Sequence, residues 1–275
     1  MQIIQFSDTH LKLDGLLYDV TDTERNVRGV IDFFKRLTDQ PDMYVVSGDL
    51  ADFGRLEAYE RLNDMLNELP RPVYVLPGNH DDRDNLHKVF KDKAPVQSDI
   101  FPFVCYEIPS DGDLKLLVCD THVSHQHWGT FSAEAEAWLK ARLETYKDKP
   151  VLVFTHHVPF RTNLDKMDEP FVNADRFVAV LQPHRNVKLC TGHMHTSIVT
   201  MTGSLLIQSC PAVSMQMEID TKAGGGWRFY DGDPGYVLHD FIDGRVNSHT
   251  IPIPLKRGWS GPWPFEYGVN KNSVD

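Results

Sequence analysis

A chain of 275 residues, 41% hydrophobic and 24% charged, is long enough for one large α/β domain and too apolar for a disordered protein. Its formal net charge of −11, with no cluster of Lys or Arg, argues against a nucleic-acid partner, and no apolar run is long enough for a transmembrane helix or a membrane partner. Cys105, Cys119, Cys190 and Cys210 lie far apart without a CxxC pair, which fits reduced thiols in a cytoplasmic protein.

The opening MQIIQFSDTH lacks the basic stretch of a secretion signal and reads as a strand over residues 3–6. Residues 23–37 follow, with Val27, Val30, Ile31, Phe34 and Leu37 at helical spacing. A strand over 43–47, a helix over 56–69 and a strand over 73–76 repeat the alternation. After a strand over 114–119, Ser132 with Glu134 opens a helix over 132–146 whose apolar face is Trp138, Leu139 and Leu143. Strands over 151–155, 187–190 and 204–208 come next, with a short helix over 175–181 between the first two. This order predicts a layered α/β domain with parallel pairing in at least its first half. From about Leu205 the chain turns to strands and turns, punctuated by three glycines at 224–226 and DGDPG at 231–235. The domain is expected over residues 1–255. Residues 256–275, rich in Trp, Pro and Gly, are expected to pack locally through Trp259 and Trp263 and then to fray. There is no internal repeat.

The chemistry-bearing residues collect where predicted strands end. The first strand runs into Asp8 and His10, the second into Asp49, and the third into Asn79 and His80. The strand at 151–155 runs into His156 and His157, and that at 187–190 into His193 and His195. Ligands of α/β sheets bind beyond the carboxyl ends of the strands, so five strands would deliver metal-type side chains to one rim. Imidazole and carboxylate suit divalent transition metals. Gly48, Gly78 and Gly192 each stand just before such a residue, where the backbone must turn sharply. Each motif alone has a plainer meaning: Asp-x-His is a common capped loop, and Ser-Gly-Asp a common strand exit. Five of them in order, each after an apolar run, are hard to explain as caps.

In that order SDTH at 7–10, GD at 48–49, GNHD at 78–81, HH at 156–157 and GHMH at 192–195 resemble the pattern of the calcineurin-like metallophosphoesterase superfamily, over roughly residues 1–210. The resemblance implies a four-layer α/β/β/α sandwich with a C-terminal lid or oligomerisation elaboration, and a cofactor of two divalent metal ions (Fe, Mn, Zn or Co). It assigns Asp8, His10 and His195 to one metal, Asn79, His156 and His193 to the other, and Asp49 to a bridge between them. It implies attack by a metal-bound hydroxide, with His80 stabilising the phosphoryl charge and protonating the leaving alcohol. Asp81 or Asp82 would then hold the tautomer of a nearby imidazole or remain a loop carboxylate, and His157 would support the ligands from behind or be a histidine at the core edge.

Within the superfamily the sequence looks most like the small bacterial phosphodiesterases. VVSGDLADFGRLEAY, PVYVLPGNHDDRDNL, Met167-Asp168 and SGPW at 260–263 are similar to the glycerophosphodiesterases, and Gly226-Trp227-Arg228 to the class III cyclic-nucleotide phosphodiesterases. The substrate expected is therefore a small phosphodiester, either a glycerophosphodiester or a 3′,5′-cyclic nucleotide. A phosphomonoesterase and a non-catalytic metal-binding scaffold are the alternatives; the complete ligand set with His80 speaks against the scaffold. The His122, His125 and His127 loop is expected at the pocket rim as a mobile element, and His184, His239 and His249 to have no catalytic role. Residues 213–236, with Trp227, Phe229 and Tyr230, are expected to form a lid over the substrate or a contact in a homo-oligomer.

Overall fold

Short apolar strands alternate with amphipathic helices, and the alternation builds two stacked sheets. The computed structural model describes residues 1–94, 100–110, 112–164, 167–168, 171–222, 228–255 and 260–264. Strands β1 (Gln2–Phe6), β2 (Met43–Ser47) and β3 (Val73–Leu76) run parallel. The antiparallel hairpin of β12 (Gly235–Ile242) and β13 (Arg245–Pro252) joins the free side of β1, giving the order β13-β12-β1-β2-β3. The second sheet contains β4 (Tyr106–Ile108), β5 (Lys115–Val118), β6 (Val151–Phe154), β7 (Val187–Thr191), β8 (Val199–Thr202) and β9 (Leu205–Ser209) in the order β4-β5-β6-β7-β9-β8. Its four central strands are parallel and its edges antiparallel. A small third sheet pairs β10 (Gln216–Met217), β11 (Arg228–Asp231) and β14 (Ser260–Pro264).

Side-chain alternation sets the layers. On β5, Leu116 and Val118 join the core shared with the first sheet, while Leu117 packs on the opposite face with Trp138, Leu139 and Phe177. Those three belong to α4 (Ala133–Thr145) and α5 (Ala174–Leu181), which therefore cover the second sheet from outside. The first sheet is covered by α1 (Thr23–Lys35) and α2 (Leu56–Leu66). Phe34 of α1 packs on Phe6 at 5.5 Å and Tyr44 at 5.3 Å between ring centroids. Full burial of such a ring is worth about 1.5–3 kcal/mol. The result is the α/β/β/α order that the resemblance implied.

Differences from the sequence reading have local causes. Helix α1 stops at Lys35 because Gln40 Nε2 donates to the carbonyls of Phe34 and Leu37, closing the last turn. Helix α3 (Arg83–Val89) was not anticipated; it has seven residues, buries only Leu86 and carries little periodic signal. Asp82 caps it, accepting from Asn85 N at 2.8 Å. The β12–β13 hairpin was readable in the Asp243-Gly244 pair, whose left-handed φ of 50° and 74° match a tight primed turn. All four cysteines are buried and unpaired. Among the described residues no helix is long and apolar enough to cross a membrane.

A polar strut joins the two sheets. Gln5 Nε2 donates to Ser47 Oγ (2.8 Å) and to the carbonyl of Thr191 in the other sheet (3.0 Å), and its Oε1 lies 3.0 Å from His239 Nε2. His239 Nδ1 faces Ser248 Oγ at 2.8 Å, and Lys188 shares that hydroxyl. Burial, with Lys188 nearby, holds the His239 imidazole well below its ordinary value of 6.5, so it folds neutral. The unfolded imidazole takes up a proton below 6.5 and the folded one does not, so this contribution is complete above that pH and is lost as pH falls. His239→Gln should therefore flatten the acid dependence of stability relative to the wild type, by up to about 1.4 kcal/mol per pH unit below 6.5. Urea unfolding at pH 7.5 and 5.5 measures this; parallel pH profiles for the two proteins would refute it.

Candidate metal centre

The carboxyl ends of β1, β2 and β3 from one sheet and of β6 and β7 from the other meet along a single seam. To turn donor atoms inward there, the backbone enters conformations that side chains avoid. Asp8, His10, Asp49, His193 and His195 have left-handed φ of 55°, 41°, 49°, 68° and 50°. Each such residue costs on the order of 1–3 kcal/mol and persists only where its surroundings fix it. Asp8 N donates to the carbonyl of Gly48 (3.0 Å) and His10 N to that of Asp49 (2.8 Å). Gly48 has a φ of 96°, and a Cβ there would overlap the His156 ring; at Gly78 it would overlap the Asp49 carboxylate. Glycine before the ligand candidates is thus a matter of space as well as of turning.

Among the described residues three groups of donor atoms result, one of them His10 with Asp52 and His80; the other two share Asp49. Asp8, His10, Asp49 and His195 present ligand atoms within 4.8 Å of one another, and so do Asp49, His156 and His193. Asn79 joins the second group, with its Oδ1 at 2.9 Å from His193 Nδ1 and 3.1 Å from His156 Nε2. Asp49 belongs to both: its Oδ2 lies 3.4 Å from His10 Nε2 and 3.3 Å from His156 Nε2. His156 Nδ1 bonds the carbonyl of Ser47 (2.8 Å) and His195 Nδ1 that of Met215 (3.1 Å), so both aim Nε2 at the centre. Nitrogen and oxygen atoms that can serve as ligands therefore converge on the centre, an arrangement suited to a bound cation. The donor set of imidazole, carboxylate and amide oxygen fits divalent transition metals.

The electrostatics say the same. Burial opposes the charge on Asp8, yet His195 and His156 hold its carboxyl below the usual range. Burial likewise opposes the charge on Asp49, and His156, His80 and His10 outweigh it, leaving the carboxyl well below the usual range. His10 and His193 are driven down to about 3, by burial first and then by the cationic character of His80 and His156 respectively. Burial also disfavours the His156 cation, but Asp49 and Asp8 prevail and raise it to about 9. Asp49 and Asp8 thus favour positive charge at the centre, as the lining of a cation site would.

The structure brings together all seven residues expected as ligands, with His80 beside them. Burial disfavours the His80 cation, while Asp49 and then Asp52 raise it. Asp52 was missed: it lies one turn beyond the Gly48-Asp49 motif, 95% buried, with Oδ1 at 3.4 Å from His80 Nδ1. An acidic residue three positions after a ligand candidate was the signal available. Asp81 bonds no imidazole. It accepts from Leu50 N, Ala51 N, Gly78 N and the Tyr59 hydroxyl, tying the second and third strand exits together. Asp82 is the helix cap already described. His157 packs its ring against His156 and His193 at 5.0 and 5.1 Å and bonds Thr121 Oγ1 at 2.8 Å.

The histidine-rich loop is part of this framework. His122 is buried with Nδ1 at 2.9 Å from the carbonyl of Gly78, and Arg83 clamps both Asp120 and the His122 carbonyl. His127 Nδ1 lies 3.4 Å from Asn79 Nδ2. His125 is exposed. Of the aromatics expected in a lid, Trp227 lies outside the described residues, Phe229 is fully buried, and Tyr230 bonds Glu218 at 3.3 Å. Trp259 also lies outside them; Trp263 stands opposite Phe229 in the small sheet.

A four-layer sandwich with a histidine–carboxylate seam at its strand ends is the architecture of a metal-dependent phosphoesterase. Residues 1–197 match the calcineurin-like phosphoesterase family, and the chain belongs to it. It is 28% identical to a glycerophosphodiester phosphodiesterase of Enterobacter lignolyticus, over 98% of this chain and 96% of that one. It is 29% identical to a cAMP/cGMP dual specificity phosphodiesterase of Mycobacterium tuberculosis, over 91% of this chain and 79% of that one. In fold it is similar to a dimetal phosphatase from Danio rerio, with a TM-score of 0.64 and 17% identity over 92% of this chain and 98% of that one.

The loop anchored by Asp81 gives a direct test of how the centre is held. Asp81→Ala leaves buried donors without an acceptor and should cost on the order of 3 kcal/mol, and Asp81→Asn, which keeps one oxygen, should cost less. Chemical unfolding of the metal-free proteins orders the three. Wild-type stability in Asp81→Ala would remove its role as an anchor.

Proposed function

We propose that this chain is a phosphodiesterase that hydrolyses a small phosphate diester, a glycerophosphodiester or a cyclic nucleotide, with two divalent metal ions. Asp8, His10 and His195 would hold one ion, Asn79, His156 and His193 the other, and Asp49 both. The observation that carries this reading is the placement of Asp49 Oδ2 within 3.4 Å of His10 and 3.3 Å of His156, shared by two donor groups. The names of the Enterobacter and Mycobacterium relatives support a diester as the substrate. When bound, the metals would supply positive charge to the phosphate oxygens and lower the pKa of a coordinated water.

The remaining steps belong to the chain's own groups. His80 lines the cleft and its backbone N–H donates to Asp49 Oδ1 at 2.8 Å, which fixes the turn that carries its ring. Its Nδ1 faces Asp52, so Nε2 is the nitrogen free to serve a substrate oxygen. Asp49 and Asp52 favour the protonated ring, which suits a group that stabilises phosphoryl charge and then gives a proton to the leaving alkoxide. Asp52 acts through His80: it orients the imidazole and lies beside Lys12, at 3.7 Å.

Protein reconstituted with Mn²⁺ should hydrolyse bis(p-nitrophenyl) phosphate faster than p-nitrophenyl phosphate and should approach two metal equivalents. Full activity at one stable equivalent, or a preference for the monoester, would overturn the reading. Asp49→Ala should lose metal and activity together. His80→Ala should keep both metals yet lose about 10²–10⁴ in kcat, and less with a good leaving group than with an alkoxide. An equal loss across leaving groups would strip His80 of the acid role and leave it an electrostatic one.

A further inference from the structure

A narrow cleft opens over the candidate centre. Six of its lining residues are the histidines, Asp49 and Asn79 already described; the others are Tyr18, Met167, Met215 and Met217. Three of the eight methionines of the chain thus meet in one small cleft. Met215 and Met217 stand two apart on the strand segment that ends in β10 and belong to a cluster with Leu17 and Phe229, against which Tyr18 and Met167 pack. Tyr18 rests on Phe229 with ring centroids 5.8 Å apart.

This wall is fixed to the metal-type donors. His195 Nδ1 bonds the carbonyl of Met215 at 3.1 Å, and Met217 N donates to the carbonyl of His195 at 3.2 Å. Val213 N and Ser214 N donate to the carbonyls of Ser7 and Asp8, and Asn26 Nδ2 donates to the carbonyl of Ser214. Met215 and Met217, themselves nearly buried, and Tyr18 thus form the non-ligand wall that an organic group attached to a phosphate at the centre would approach. Thioether sulfur is a poor hydrogen-bond acceptor and cannot donate, so hydroxyls of a polyol set against Met215 and Met217 would lose water without replacement. A flat or apolar ring loses nothing of that kind, and methionine adapts its shape to ring faces and edges.

We propose that Met215 and Met217 are specificity-determining residues that make the site prefer phosphate diesters with an aromatic or heteroaromatic arm over those with a polyol arm. The inference rests on the phosphodiesterase reading and is tested with ligands that carry a single arm. Methylphosphonate, 2,3-dihydroxypropylphosphonate and benzylphosphonate are compared as competitive inhibitors of bis(p-nitrophenyl) phosphate hydrolysis by the metal-loaded enzyme. Benzylphosphonate should inhibit at a concentration about tenfold or more below the other two, as burial of a ring predicts. The double variant Met215→Gln, Met217→Gln keeps side-chain length and the backbone bonds to His195 but makes the wall polar. It should bring the benzyl-to-methyl ratio near one, while Met215→Leu, Met217→Leu should retain it. Metal content and thermal unfolding of each variant show that the site is intact.

A wild-type ratio near one, or a ratio unchanged by the glutamines in a folded, metal-loaded protein, overturns the wall as the selector. If the wild type hydrolyses no diester and none of the phosphonates binds, the phosphodiesterase reading itself has failed, which is a different result.

Discussion

The structure depends on the burial of one carboxylate between two sets of histidines. Asp49 is almost inaccessible, and burying a charge costs several kcal/mol unless partners surround it. Its partners are His10 on one side and His156 on the other, with the backbone of His80 on the remaining oxygen. Those residues come from three strands in two different sheets. The sandwich is therefore more than a scaffold that happens to carry a site: its two sheets must be stacked in this register for Asp49 to be compensated at all. The Gln5 strut, which reaches from β1 to the carbonyl of Thr191 next to the His193 turn, fixes that register a few residues below the seam.

The price of the convergence is visible in the backbone. Strand exits in open α/β sheets usually relax into loops, yet here five donor residues sit in the left-handed region. Such strain survives where hydrogen bonds over-determine the chain. Asp81 supplies several of them, accepting from the exits of both β2 and β3, and the Asp8 carboxylate accepts the His193 N–H across the seam at 3.1 Å. Burial and the neighbouring Asp49 push the Asp81 carboxyl up to about 6, so the loop anchor itself feels the charge of the centre it supports. Metal ions, by supplying positive charge at Asp49, would ease both problems together.

The parts of this design that show in the sequence are those that repeat along the chain. Asp8-x-His10, Gly48-Asp49, Gly78-Asn79-His80 and Gly192-His193-x-His195 are legible because each follows a β-rich run, and the run tells the reader which way the side chains must point. Asp52 was missed because it follows no strand of its own; only the turn after Asp49 carries it back to His80. The His122 loop was legible only in part, for a related reason. Its histidines look alike in sequence, but only folding shows that His122 is locked to Gly78, that His127 reaches Asn79 and that His125 faces solvent. Met215 and Met217 carry no local signal, since a methionine in a strand means core far more often than a ligand wall.

The division between legible and hidden residues follows the division of labour. Metal-type donors need particular atoms at particular places, so their residue types are restricted and the motif stands out. The wall needs only shape and polarity, which many side chains can supply. On the segment that ends in β10 the two demands meet in the same residues but in different atoms. The backbone of Met215 and Met217 positions His195, while their side chains face the cleft. A change of side chain there alters what the cleft accepts without touching the hydrogen bonds that hold the donor. A fold arranged this way can keep one hydrolytic centre and vary its substrates, because the polarity of the wall and the geometry of the metal ligands are set by separable parts of the same residues.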